Sequence, residues 1–227
     1  LKPFWVKFCG PALRASSRAP PRAAPPRPLA RVPGPGDAMA RAGPDRYGKL
    51  GDQAFGKMEK VNSDLLALTY GSLVTQLLRD VEDVDAVNAQ LEKMGYNIGL
   101  RVVDEFLAKS GAGPCQDFRD TCEVLAKVGL RMFLGVAADV VMWNRELTAC
   151  SLVFPDNPLA DYVELPQHLS NRLWYSNLLC GVVRGALEQL QLRVECSFQK
   201  DTLNGDEHNM IRVELKEVMR EDYGEDD

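Results

Sequence analysis

The chain has 227 residues, of which 45% are apolar and 26% charged, with a formal net charge of −5 at pH 7. That length and apolar content support one substantial core. The charge is split: residues 1–56 hold ten Lys/Arg and three Asp/Glu, whereas residues 57–227 hold 17 and 29. An acidic body excludes nucleic-acid phosphate as a partner, because such binding draws its affinity from clustered Lys and Arg.

Ten of the 14 prolines precede residue 50. Residues 14–36, RASSRAPPRAAPPRPLARVPGPG, are low-complexity and bury too little apolar surface to offset their ordering entropy. The whole of 1–56 is therefore expected to be a disordered, basic Pro/Arg-rich segment. No acid occurs before Asp37, as in a transit peptide, but the repeated prolines would break the amphipathic helix such peptides form. Met39 is the expected start of the protein, with residues 1–38 as translated leader.

From Asn62 onward Leu66, Tyr70, Leu73 and Leu77 recur every three or four positions, which predicts an amphipathic helix to about Asp80 with Asn62 or Ser63 as its N-cap. A second, longer helix carries Val87, Leu91, Met94, Ile98, Val102 and Phe106 on one stripe and stops at SGAG. Gly95 and Gly99 stand one turn apart inside it, which points to close approach by another backbone. Asp117 is a good N-cap for a third helix, through Cys122, Leu125, Val128, Met132 and Phe133 to Gly135.

Two strand-like runs follow at 140–143 and 147–154, then a helix at 173–190 that is apolar almost all round and must be buried. Gly181 and Gly185 are spaced one turn apart within it. Strict alternation at 192–199 and 211–216, joined through NGDE, predicts an antiparallel pair with one exposed face. The order is ααα-ββ-α-ββ, an α+β fold with helices packed on one face of a small antiparallel sheet. The uncharged run at 173–183 is too short to span a bilayer.

Little of the sequence suggests catalysis. The two histidines, His168 and His208, lack metal-ligand spacing, and GAGPC lacks the strand and the Lys-Ser/Thr of a phosphate loop. The six cysteines contain no C-x-x-C pair, and Cys122, Cys150, Cys180 and Cys196 lie in apolar segments as small hydrophobes, a usage that suits a reducing compartment. Cys115 differs, because it sits in SGAGPCQDF between two helices. It is either an inert linker thiol or a thiolate activated by the helix N-terminus that follows. With Gly129 facing inward among Leu125, Met132 and Phe133, such a thiol is a candidate acceptor for a fatty acyl chain. A non-covalent hydrophobic-ligand domain and a cysteine hydrolase are the alternatives.

LALTYGSLVTQLLRD (66–80), LEKMGYNIGLRVVDEFLAKS (91–110), DFRDTCEVLAKVGLRMFLG (117–135), NPLADYVELP (157–166) and YSNLLCGVVRGALEQLQLRVECSF (175–198) together resemble the acylated, Bet-three type of core subunit of TRAPP, the transport protein particle. The resemblance covers about residues 60–218, which sets a TRAPP-type domain at 57–218 and an acidic tail at 219–227. It implies a non-catalytic α+β subunit that pairs through its helices with other small TRAPP subunits. The complex tethers vesicles between endoplasmic reticulum and Golgi and activates an early-secretory Rab GTPase. Such a protein is cytoplasmic and at most peripheral on cis-Golgi and endoplasmic reticulum membranes. No cofactor is implied beyond a covalent palmitate on Cys115, in an apolar tunnel that Gly129 keeps open. Pro114 and Gln116 depart from the basic residue and the histidine usual beside that cysteine, while Arg131 remains basic. The family's Rab-facing C-terminal segment maps after Leu215, with Glu217, Val218 and Met219 as contact candidates.

Overall fold

The computed structural model describes residues 46–219, as helices on an antiparallel sheet. The segment read as disordered at 14–36 and the tail beyond Met219 lie outside the described residues. The helices are α1 (Arg46–Lys57), α2 (Ser63–Asp80), α3 (Val84–Lys109), α4 (Phe118–Val124), α5 (Leu130–Leu134) and α6 (Leu178–Gln189). The strands are β1 (Asp139–Val141), β2 (Ala149–Phe154), β3 (Leu192–Lys200) and β4 (Asn209–Val218), in the order β1-β2-β4-β3 with every pairing antiparallel.

Local chemistry explains the expected boundaries. Asn62 caps α2 by accepting from the Leu65 N–H, and Asp117 caps α4 by accepting from the Asp120 N–H. Gly111 carries the left-handed backbone (φ 67°) that turns the chain out of α3. Along β3 Val194, Cys196 and Phe198 are buried while Arg193, Glu195 and Ser197 are exposed, so one face meets the helices and the other water. The four cysteines read as small hydrophobes are all buried.

Three expectations change. Residues 46–56, assigned to the disordered segment, belong to α1; composition averaged over 1–56 hid the stripe Tyr47, Leu50, Ala54 and Met58. Residues 173–177 are turns ahead of α6, because the Asn88 side chain on α3 takes up the Trp174 N–H and the Arg172 carbonyl. The third helix is interrupted at Leu125–Gly129 by a π turn, in which the Leu130 N–H reaches the Leu125 carbonyl five residues back. The Ala138 N–H then donates to the Ala126 carbonyl, joining the turn to the residue before β1.

Close approach of α3 and α6 organises the core. A Cβ on Gly95 would run into the Leu178 carbonyl oxygen and one on Gly99 into that of Val182. Reciprocally, Gly181 and Gly185 face the carbonyls of Glu92 and Tyr96. The other side of α6 lies on β3, which is why this helix is apolar almost all round. One apolar cluster fills the space between helices and sheet. A second, smaller one, of Ala54, Val124, Val128 and Met132, lies between α1 and the π-turn helix.

Candidate functional site

Cys115 lies two residues ahead of the Asp117 cap, in the 111–117 loop that joins α3 to α4. It is half-buried and rests on the second apolar cluster, beside Phe106, Ala112, Met132 and Phe133. The loop is braced from below by α4. The Thr121 hydroxyl donates to the Asp117 carbonyl (2.9 Å), and the Asp120 carboxylate accepts the Gln116 N–H (3.2 Å). Its other oxygen accepts the phenol of Tyr47 from α1, and that bond, with burial, pushes the Tyr47 pKa up to about 12.

The electrostatics bear on the two readings of Cys115, inert linker thiol and activated thiolate. Burial raises the Cys115 pKa above the usual thiol range; a hydrogen bond with Thr121 opposes the shift, while the charges of Asp120 and Asp117 add to it. Burial is the largest cause, and the carboxylates that cap and line the first turn of α4 act in the same direction. That direction favours the inert-thiol reading over an activated thiolate. The Cys115 side chain packs on the apolar cluster, and a polar groove of about 410 Å³ lies beside the loop that carries it. Arg46, Tyr47, Pro114, Gln116 and Asp120 help line that groove.

The other candidate residues divide. Met132 and Phe133 share the cluster under Cys115, whereas Leu125 packs against the main core. Gly129 is buried in the π turn, and a Cβ there would make one ordinary contact, with Leu125 Cδ1 at 3.5 Å. Glu217, Val218 and Met219 form a separate group at the end of the β3–β4 ladder. Glu217 pairs with Arg193 (2.9 Å), Val218 is exposed, and the Met219 N–H donates to the Gln191 carbonyl. His168 is exposed and His208 half-buried. Sequence reasoning missed α1 altogether, although the 3-4-4 spacing of Tyr47, Leu50, Ala54 and Met58 carried the signal.

An α+β unit with a half-buried cysteine between two of its helices and an apolar cluster beneath it fits the sequence relatives closely. Residues 66–214 match the family described as Transport protein particle (TRAPP) component, and the chain belongs to that family. It is 55% identical over 174 residues to "Trafficking protein particle complex subunit 3" of Dictyostelium discoideum, spanning 77% of this chain and 94% of that protein. It is 43% identical to "Trafficking protein particle complex subunit BET3" of Saccharomyces cerevisiae, over 75% of this chain and 90% of the other. Among solved structures, a trafficking protein particle complex subunit 3 from Naegleria fowleri, covalently bound to palmitic acid, superposes with a TM-score of 0.69 at 56% identity, covering 72% of this chain and all of that one.

Proposed function

We propose that this chain is a non-catalytic core subunit of a TRAPP vesicle-tethering complex in endoplasmic reticulum-to-Golgi transport, and that it carries palmitate as a thioester on Cys115. Within the complex it contributes to guanine-nucleotide exchange on an early-secretory Rab GTPase. It works on the cytoplasmic side of Golgi and endoplasmic reticulum membranes as a peripheral protein. The observation that carries the lipid part is the covalent palmitate of the Naegleria relative, taken together with the position of Cys115 on an apolar cluster.

The remaining parts draw on the surface. Val61, Leu65 and Leu68 follow one another at spacings of four and three around the start of α2, and Leu65 is 64% exposed. Ile98 and Leu107 on α3 are also exposed. Helical faces this apolar favour pairing with another small TRAPP subunit. Among the described residues no helix is long and apolar enough to cross a membrane, so attachment would run through the complex.

Intact-mass measurement tests the lipid. An acyl adduct that maps to Cys115 and is released by neutral hydroxylamine supports the thioester. A hydrophobic ligand that leaves on denaturation would replace it with non-covalent binding, and an unmodified protein from its own cells would end the proposal. Co-purification with other TRAPP subunits, followed by nucleotide-release assays on candidate Rab proteins, tests the rest.

A further inference from the structure

We propose that α1 is a closing helix over Cys115, latched by the Tyr47 phenol to Asp120, and that its opening controls access of other reactants to the sulfur. The acylation consequence rests on the reading of Cys115 given above; the cover itself does not. Three of the twelve residues of α1 are glycine, which costs up to about 3 kcal/mol of helix propensity relative to alanine. A helix that weak persists only because it is docked.

The docking contacts bracket the Cys115 loop. At the far side of the loop, Leu50 Cδ1 lies 3.9 Å from where a Gly111 Cβ would stand. At the near side, Asp120 accepts Tyr47 with one carboxylate oxygen and the N–H of Gln116, the residue after Cys115, with the other. One carboxylate therefore ties α1 to the segment that carries the thiol. Between these points Ala54 is fully buried on Val124, Val128 and Met132, and Gly51 lies so close to the Lys127 carbonyl that no side chain would fit. An ion pair, Asp52 with Arg131 (2.9 Å), holds the far half of the helix.

This arrangement makes α1 the outer wall of the apolar cluster on which Cys115 sits. It also precedes the segment that matches the family, 66–214. A short, glycine-rich helix with few buried residues is the kind of unit that opens locally at far lower free energy than the whole fold. Closed, it covers the apolar side of the half-buried sulfur and limits the approach of water and thiols to it, or to any thioester on it. Open, it exposes the sulfur and the apolar surface together.

The test uses full-length protein stripped with neutral hydroxylamine, which returns a thioester to the free thiol and carries the acyl group off as a hydroxamate. Labelling by N-ethylmaleimide is followed in time, with peptide mass mapping to separate Cys115 from the other thiols. Tyr47→Phe removes the latch and keeps the ring; Gly51→Leu prevents α1 from seating. Both variants should label at Cys115 at least several-fold faster than wild type, with faster amide hydrogen exchange across 46–57 and unchanged exchange in α3 and α6. Equal labelling rates in wild type and Tyr47→Phe, with melting temperatures matched, overturn the proposal. Should Gly51→Leu fail to fold, Tyr47→Phe still decides. Intact mass before stripping reports separately whether Cys115 was acylated, so failure of the lipid reading and failure of the latch are distinguishable.

Discussion

The pKa of Cys115 is raised first by burial, and its own helix cap adds to the shift. Asp117 is needed to start α4, yet its charge, with that of Asp120, raises the Cys115 pKa on top of the larger effect of burial. Asp117→Asn keeps a good cap and removes one charge. The pH profile of Cys115 alkylation should therefore move to lower pH in that variant, with the melting temperature little changed; a profile that stays put would show that burial alone sets the pKa. Asp201 offers a second test at this scale. It is fully buried, with one carboxylate oxygen accepting from the Leu203 N–H and the other without a hydrogen-bond partner. Burial raises its pKa above the usual Asp value, partly offset by that backbone bond. A raised folded-state pKa means that no stability is lost while both folded and unfolded states are protonated. Stability then falls as pH climbs from the unfolded pKa to the folded one, and the deficit persists above it. Asp201→Asn removes this slope. Its stability relative to wild type should improve as pH rises above the unfolded-state Asp pKa, measured by urea unfolding across pH. A difference that does not vary with pH would show that Asp201 is not strained by its charge.

At the scale of elements the glycines give opposite expectations from the same substitution. Gly95→Ala places a methyl against the Leu178 backbone, which must move, so about 2 kcal/mol of destabilisation is expected despite the better helix propensity. Gly56→Ala, in α1 with no atom within 4 Å of the new Cβ, should instead stabilise by a few tenths to 1 kcal/mol. Thermal melts of the two variants check both signs. Gly129→Leu is a third case. The first carbon meets only Leu125, so the fold should survive while the space beside the π turn fills; intact mass should show acylation suppressed at a near-normal melting temperature. Normal acylation in that variant would remove Gly129 from the acyl site. The one-turn spacing of Gly95 with Gly99 and of Gly181 with Gly185 was legible as close packing, because a 3.6-residue period puts such pairs on one face. That these two pairs meet each other was not legible, since periodicity says nothing about partners. The π turn was likewise invisible: its five residues LAKVG are ordinary helix formers with one glycine, and the wide turn is closed by a contact with Ala138.

At the scale of the whole molecule, the apolar face at the start of α2 is the feature that the isolated subunit does not explain. Leu65→Glu should leave the melting temperature of the isolated chain within a degree or two, because the side chain is exposed, and should sharply reduce co-purification with other TRAPP subunits. Loss of stability without loss of partners would show that the face serves the chain's own fold. The sequence by itself determined the α+β class and the element order from α2 onward, the cap at Asp117, the antiparallel pairing of the last two strands, the buried thiols and the family, because each is written in short-range periodicity or in long runs of matching residues. Only the tertiary structure decided that α1 exists and packs beside the cysteine loop, that burial raises the pKa of Cys115, and that Met132 and Phe133 share its cluster while Leu125 does not. Each of those depends on groups distant in sequence arriving at one place, Tyr47 at Asp120 across 73 positions for instance, and no local pattern carries that information.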